Sequence, residues 1–200
     1  SFDLNGSSIA GFIVKRFIGG RERMCLEVIN PDEEYHLDSW KYQYYEEPTV
    51  EVSGLMHLAG NTVDVLTDSG VHPPIVINSN GVGYLQWSAN EIVCGYNFIS
   101  HLRTLSAEVI GNEGSTHAMN KGWNRVVVRI LDSAKPLIND VRAPERHPNT
   151  QMDTPEPFET EDVQVTDLGW QSWDRVDVKQ DLPLRLIVLG IFGEQARENL

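Results

Sequence analysis

Short runs of β-branched and aromatic residues, separated by turn residues at regular intervals, constrain this sequence more than any other feature. Between residues 48 and 105 the apolar runs are interrupted about every 8–12 residues by Gly, Asn, Asp or Ser. Glycine and asparagine tolerate the positive φ angles that tight turns require. The predicted strands are Thr49–Val52, Thr62–Thr67, Pro74–Asn78, Gly83–Trp87 and Glu91–Tyr96. Such spacing is typical of a small β-barrel or sandwich.

Strands are also predicted on both sides of this region. Gly11–Ile18 and Arg23–Ile29 are apolar runs separated by Gly19-Gly20-Arg21-Glu22, and the Gly-Gly pair between them indicates a β-hairpin. Residues 32–47 contain the aromatic stretch DSWKYQYYEE, whose periodicity fits a helical turn, a strand or an ordered loop.

Further strands are predicted in the second half of the chain. They are Arg125–Leu131, Val163–Thr166, Arg175–Gln180 and Leu184–Phe192. The last two are separated by Asp181-Leu182-Pro183, which favours a second hairpin.

A proline-rich segment lies between two of these strands, at about residues 132–162. It contains five of the ten prolines, so its composition disfavours both an α-helix and the hydrogen-bond ladder of a β-sheet. Loops of this length in compact domains are usually functional or bound to a partner. We therefore expect an extended arm that lies against another surface.

These patterns predict an all-β chain with no helix longer than two turns. The small barrel, residues 48–105, is expected to be inserted between strands of an outer β-sheet domain. Residues 1–47 form the first part of that outer domain, and residues 106–200, including the arm, form the second.

The charge and hydropathy of the chain exclude several functions. The net charge is −13, from 29 acidic and 16 basic residues. Such a surface repels nucleic acid and anionic membranes, although acidic surfaces are also common simply because they favour solubility. No apolar run is long enough for a membrane span, and no secretory signal is present. The chain begins SFDL without Met, which suggests a piece of a longer polypeptide.

Motifs that carry catalysis or bind cofactors do not stand out in the sequence. The six histidines and two cysteines have no zinc-site spacing, and for Glu33 and His36 a surface role is favoured over a metal site. Acid pairs such as Glu46-Glu47 and Glu161-Asp162 could serve glycoside hydrolysis, but they are expected by chance among 29 acids. We predict a protein that is not an enzyme and has no cofactor and no metal. Cys25 and Cys94 are predicted to be buried free thiols.

The five tryptophans leave two interpretations open. Trp170 and Trp173 flank a turn, GWQSW, where exposed rings would stack on sugars or form a subunit contact. A carbohydrate-binding module is therefore the main rival to a purely structural protein.

Three stretches, taken in order, resemble one protein family. They are PTVEVSGLMHLAGNTVDVLTDSGVHPP (Pro48–Pro74), NKGWNRVVVRILDSAKPLIND (Asn120–Asp140), and QMDTPEPFETEDVQV (Gln151–Val165) with VDVKQDLPLRLIVLGI (Val176–Ile191). Their residue patterns resemble those of the tail nozzle proteins of short-tailed bacteriophages, also called tail tubular protein B. Thr67 and the inserted Ser69 depart from the family's usual phrase. The family's proteins are several times longer than this chain.

The resemblance implies a structural virion protein of the distal tail, made in the host cytoplasm. It implies a hexameric ring through which the genome is ejected, with a head-to-tail adaptor, tail fibres and transiently passing DNA as partners. The candidate subunit-contact or binding surface consists of Trp170, Trp173, Met152, Pro155, Pro157 and Phe158. The alternatives are a receptor- or carbohydrate-binding β-domain of a tail component, a depolymerase, and a hub or plug protein of another tail type.

Overall fold

The structure is a computed structural model that describes residues 2–4, 7–28, 35–107, 110–111, 114–115, 121–144, 154–155, 157–166, 170–171 and 175–197. Antiparallel strands make up nearly all of the regular structure in these residues, which confirms the predicted all-β fold. Within the same residues, no helix has the length and hydropathy needed to cross a bilayer. The chain divides into two compact units, one of Ser1–Phe98 with Asp153–Pro155 and one of Ile99–Met152 with Glu156–Leu200.

The strands of the first unit occur in order along its sequence. They are β1 (Phe2–Leu4), β2 (Ser7–Ile9), β3 (Gly11–Ile18), β4 (Arg21–Val28), β5 (Asp38–Val52), β6 (Thr62–Thr67), β7 (Gly70–Val76) and β8 (Gly83–Tyr96), with a 3-10 turn at Met56–Leu58. β1 pairs with β2, and β3 pairs with β4.

The other four strands form an antiparallel sheet in the order β5-β8-β6-β7. All four contribute to one buried core, which lies on the apolar face of the sheet. This core contains Val52, Leu55, Leu58, Val63, Val65, Ile75, Ile77, Leu85, Ala89, Ile92 and Cys94. β6 has the predicted bounds, and its alternation of buried and more exposed residues matches the period of two.

The aromatic stretch DSWKYQYYEE, for which the sequence allowed a helical turn, a strand or a loop, forms the first part of strand β5. The strand begins at Asp38 and continues through Pro48, so the domain boundary predicted there falls inside a strand. Its pairing with β8 is irregular between Tyr44 and Thr49. The Asn90 side-chain amide donates to the carbonyl oxygens of Tyr45 and Glu46 at 3.0 and 3.2 Å, which satisfies the backbone where the ladder is interrupted.

The first predicted hairpin is confirmed in β3 and β4. Gly19 and Gly20 form its two-residue turn with φ angles of 57° and 76°, which non-glycine residues rarely adopt. The tip is held in place by the segment that precedes β6. Gly19 N–H donates to the carbonyl of Ala59 at 2.8 Å, and the Asn61 side-chain amide donates to the carbonyl of Phe17 at 3.1 Å.

The strands of the second unit are shorter and come from more distant parts of the sequence. They are β9 (Ser100–Arg103), β10 (Ile110–Gly111), β11 (Gly114–Ser115), β12 (Lys121–Ile130), β13 (Leu137–Ile138), β14 (Val141–Arg142), β15 (Asp162–Thr166), β16 (Trp170–Gln171), β17 (Asp177–Gln180) and β18 (Val188–Arg197).

Two four-stranded sheets enclose the core of the second unit. β12 pairs with β15, β16 and β18 in one sheet, and the other has the order β14-β13-β17-β9. Their apolar residues meet in one cluster, as in a β-sandwich. Its members are Val126, Val128, Ile130, Ile138, Ala143, Val163, Val165, Val176 and Val178.

The second predicted hairpin is wrong. β17 pairs with β9 and β13, whereas β18 pairs with β12 in the other sheet. The connection between them passes from one sheet to the other and buries Leu184 on the way. Its backbone then bonds to the chain after β12, since Leu131 N–H donates to the carbonyl of Ile187 at 3.1 Å.

The prediction of an extended arm is also wrong for residues 132–144. Ser133 and Ile138 are fully buried, and β13 and β14 form a tight hairpin. Asn139 and Asp140 make its turn with φ angles of 47° and 62°, a conformation that Asn and Asp tolerate. Residues 145–153 and 156 lie outside the described residues, so the arm prediction stays untested there.

Two neighbouring apolar residues in the first unit allow a matched test of its core. Ile77 is 0% exposed in the core, whereas Val76 is 66% exposed. We expect Ile77→Ala to lower the free energy of unfolding by about 2–5 kcal/mol, because it removes buried contacts and leaves a cavity. Val76→Ala should change it by less than about 0.5 kcal/mol. Urea unfolding followed by circular dichroism measures both, and equal losses would contradict this core.

Candidate functional site

The inner face of the β3–β4 hairpin forms one wall of a cleft of about 780 Å³. Side chains of a strand alternate between its two faces, and the register places Val14 opposite Cys25 and Phe12 opposite Glu27 on this face. Residues 35–40, just before and at the start of β5, also line the cleft, together with His57 and Phe98. A cleft of this size is typical of ligand sites in proteins.

Aromatic side chains are concentrated around this cleft. Tyr35 contacts Trp40 edge to face with 5.1 Å between ring centroids, and it stacks on Tyr42 at 6.2 Å. Phe12 and Phe98 line the cleft and are exposed. Exposed aromatic faces beside an apolar wall offer contact area for a ligand with apolar groups.

A charged pair lies on the same wall. Arg16 donates through Nη2 to Glu27 Oε2 at 2.7 Å and through Nε to the other carboxylate oxygen. Ser39 Oγ also donates to Glu27 Oε1, at 3.0 Å, which connects the hairpin to the start of β5. His57 donates through Nε2 to the Ser39 carbonyl at 2.9 Å. The guanidinium of Arg16 lies over the ring of Tyr96, 5.0 Å from its centroid.

This pairing fixes the charge of Glu27. The hydrogen bond from Arg16 lowers the pKa of the Glu27 carboxyl; burial opposes the shift, and Ser39 adds to it. The carboxylate is therefore ionised at neutral pH, and the pair holds opposite charges next to the aromatic wall.

The two cysteines differ in accessibility. Cys94 is buried in the core, as predicted, and burial raises the pKa of its thiol to about 12. Cys25 lines the cleft and is only partly buried, so the prediction that both thiols are buried is confirmed for Cys94 alone.

The opposite face of the β3–β4 hairpin is apolar and exposed; we call it the outward face. It carries Ile13, Phe17, Met24, Leu26 and Val28, all of them exposed, and the last two also border the cleft. Its charged residues Lys15 and Glu22 form an ion pair at 2.7 Å. Contiguous apolar surface of this kind usually marks an interaction site.

The residues predicted from the sequence as a contact surface are only partly described. Trp170 lies in β16, with its Cα opposite Gly122, and nothing further is described of its side chain. Trp173 and Met152 lie outside the described residues. Pro155 and Phe158 are exposed, while Pro157 is half-buried. Pro155 belongs to the first unit, and Pro157 and Phe158 belong to the second.

The segment after Phe158 is fixed to the second unit. Ser133 and Glu159 pair as an antiparallel bridge. The ammonium of Lys135 lies 3.2 Å from Glu159 and 3.0 Å from Glu161. Burial lowers the pKa of Lys135, but the hydrogen bonds to the two carboxylates outweigh it and raise the pKa overall.

Side chains that suggested other chemistry are engaged in structural contacts. His72 is buried beside Trp87, and its Nε2 accepts a hydrogen bond from Gln86 N–H at 2.9 Å. Of the acid pair Glu161-Asp162, Asp162 accepts two hydrogen bonds from Arg129. Across the described part of the chain, no cluster of His, Cys, Asp or Glu is arranged to hold a metal ion.

Comparisons with known proteins leave the cleft and the outward face to be interpreted from their own chemistry. No protein-family model matches this chain, and no curated protein matches it.

Sequence reasoning identified the hairpin but missed the cleft. The alternation Phe12, Val14, Arg16 was the available signal, but the opposing residues 35–40 are brought to it only by the fold.

The Arg16–Glu27 pair gives a pH-dependent contribution to stability. Because the folded pKa of Glu27 lies below its ordinary value, this contribution is complete above that value and is lost as the pH falls through the folded pKa. Glu27→Gln should therefore lower the melting temperature at about pH 7, and the difference should shrink towards about pH 3. Glu22→Gln, in the exposed pair with Lys15, is the control and should have little effect at either pH. If Glu27→Gln lowers the melting temperature equally at both pH values, the Arg16–Glu27 pair is not the source of the pH dependence.

The two thiols should react at different rates in the folded chain. A maleimide reagent at neutral pH should modify Cys25 while labelling Cys94 more slowly by at least about two orders of magnitude, because Cys94 is buried and its thiolate is scarce. Peptide mass spectrometry assigns the modified residue. In denaturant both should react at similar rates, and equal labelling of the folded chain would contradict the burial of Cys94.

Proposed function

We propose that this chain is a structural protein of a bacteriophage tail, part of the distal tail tube or nozzle through which the genome is ejected. The proposal rests on the three ordered phrases between Pro48 and Ile191, which resemble the tail nozzle family. On this proposal, copies of the chain assemble into a ring that meets a head-to-tail adaptor and carries tail fibres.

The outward face is the structural observation that supports an assembling protein. An isolated two-stranded hairpin is marginally stable in water, and this one exposes five large apolar side chains on one side. Covering that side by a neighbouring subunit would remove apolar surface from water, which is the main favourable term in most protein association. We therefore assign the outward face to a subunit contact.

The acidic charge of the chain fits the passage of DNA. A channel wall that carries negative charge repels the duplex, so DNA slides past without binding. Part of the net charge of −13 would then face the channel. An acidic excess confined to the outside of an assembled ring would contradict this part of the proposal.

Electron microscopy of purified phage particles tests the function directly. We expect gold-labelled antibody against this chain to mark the end of the tail, and reconstruction to show a sixfold ring there. Labelling along the fibres, or particles that lack the chain altogether, would overturn the proposal.

The role of the outward face is tested by self-association of the purified chain. Ile13 is 73% exposed and Met24 is 69% exposed. We expect Ile13→Asp and Met24→Asp each to weaken association by at least about fivefold in sedimentation equilibrium, because a charge would be buried in the contact. Val76→Asp introduces the same charge on β7, outside the hairpin, and should leave association unchanged. A wild-type chain that stays monomeric at high concentration would contradict the assignment.

A further inference from the structure

The charged side chains that line the cleft of the first unit are Arg16, Glu27 and Asp38. Arg16 donates two N–H groups to Glu27, so no unpaired Arg or Lys among the described lining residues selects an acidic ligand. A cationic ligand would meet the guanidinium of Arg16, and like charges brought together in a binding site are unfavourable. The cleft is therefore best suited to a ligand without net charge.

Hydrogen-bonding capacity of both kinds remains open beside this pair. A guanidinium carries about five N–H donors, and among the described residues only Glu27 accepts from Arg16. The carboxylate of Asp38 and Nδ1 of His57 make no hydrogen bond within the same part of the chain. Donors and acceptors therefore lie together in one cleft. A hydroxyl group both donates and accepts, so a ligand with many hydroxyl groups can use both kinds.

Ser39 holds this polar wall in place. Its Oγ donates to Glu27 Oε1 at 3.0 Å, and its carbonyl accepts from His57 Nε2 at 2.9 Å. Its φ angle is 50°, in the left-handed region that residues other than glycine rarely adopt. Gly95 on β8 allows the backbone to approach closely here, because an added Cβ would lie 2.9 Å from the carbonyl oxygen of Asp38. Strained backbone that its surroundings hold in this way is concentrated at ligand sites.

Aromatic rings form the apolar part of the cleft. Phe12 and Phe98 line it and are still 51% and 41% exposed. Tyr35 and Trp40 also line it, and they fix each other edge to face with 5.1 Å between ring centroids. A sugar ring carries C–H groups on its faces and hydroxyl groups around its edge. Its C–H groups pack on aromatic faces, which carry partial negative charge, while its edge remains free to form hydrogen bonds.

We propose that the cleft of the first unit binds a neutral oligosaccharide. Phe12 and Trp40 pack against the sugar rings, and Arg16 and Asp38 form hydrogen bonds with the hydroxyl groups. The cleft volume of about 780 Å³ is that of sites for drug-sized ligands, so a short oligosaccharide fits. The site does not rest on the proposed function, because every group in it belongs to this one chain.

This position differs from the one that the sequence suggested for sugar binding. There, Trp170 and Trp173 of GWQSW were expected to stack on sugars. Both belong to the second unit, whereas the lining residues of the cleft fall between Phe12 and Phe98 in the first. The two positions are therefore separable by mutation.

A glycan array tests the proposal on the full chain. The labelled chain is applied to an array of bacterial surface polysaccharides that includes neutral and acidic members. We expect retention by neutral glycans and none by acidic ones, because the acidic chain repels anions. Retention by no neutral glycan, or equal retention by acidic ones, would overturn the proposal.

Calorimetric titration with an oligosaccharide released from the best-retained polysaccharide measures the affinity. Phe12→Ala, Trp40→Ala and Asp38→Ala should each weaken binding by at least about fivefold, because they remove stacking or hydrogen bonds. The affinity should change little with added salt, since the ligand carries no charge. Phe12 and Asp38 are exposed, so their variants keep the test valid if Trp40→Ala unfolds.

Matched controls separate the cleft from general effects. Tyr84→Ala removes an exposed ring from β8, and Glu51→Ala removes an exposed carboxylate from β5. Neither residue lines the cleft, so neither variant should change the affinity. Trp170→Ala and Trp173→Ala should also bind as the wild-type chain does. Loss of binding in these two, with Phe12→Ala unaffected, would place the sugar at GWQSW and overturn the cleft assignment.

Cys25 reports the position of the ligand independently of these variants. It lines the cleft and is partly buried. Saturating oligosaccharide should slow maleimide modification of Cys25 by at least about fivefold, because the bound ligand blocks access to the thiol. An acidic oligosaccharide at the same concentration is the control and should leave the rate unchanged. Equal rates with and without the neutral ligand would place it elsewhere and contradict the proposal.

Other occupants are tested by competition with the bound oligosaccharide. A proline-rich peptide or an organic ammonium ion that binds more tightly than every glycan, and loses affinity in Phe12→Ala, would overturn the choice of ligand. The outcome is separable from that of the proposed function. A sixfold ring at the tail tip without glycan binding would overturn only the cleft assignment, whereas glycan binding by a chain that is absent from tails would overturn the nozzle proposal.

Discussion

Two hydrogen bonds at the tip of the β3–β4 hairpin hold the element on which the rest of the candidate site depends. Gly19 N–H bonds to Ala59, and the side chain of Asn61 bonds to Phe17, so the hairpin is attached to the segment that enters β6. A two-stranded ribbon has little stability of its own in water. Because this attachment fixes its position, one of its faces forms a wall of the cleft and the other becomes the outward face.

A second set of contacts connects the hairpin to the start of β5. The carboxylate of Glu27 accepts hydrogen bonds from Arg16 and from Ser39, and His57 bonds to the backbone of Ser39. Ser39 lies next to Trp40, so the charged pair also helps to position the aromatic wall. The polar contacts of the cleft therefore have a structural role.

Local patterns were sufficient for some strands that pair with a neighbour in sequence, but they missed the β13–β14 hairpin. The β3–β4 hairpin follows from two glycines between apolar runs, and β6 follows from alternating Val63 and Val65. Local patterns failed where pairing is distant. β17 and β18 are adjacent in sequence and belong to different sheets, because their hydrogen-bond partners lie in β9 and β12. The region after β12 was expected to be irregular, yet Ser133 and Ile138 are buried by strands that no local pattern connects to them.

The sequence by itself determined the all-β class, the first hairpin and the strong negative charge, because strand period, turn residues and ionisable groups are local properties of the chain. Only the tertiary structure decided that residues 35–40 lie opposite the hairpin and that Ile13 and Met24 stay exposed. The physical reason is that burial and the lining of a cleft depend on packing between segments far apart in sequence, which no run of neighbouring residues encodes.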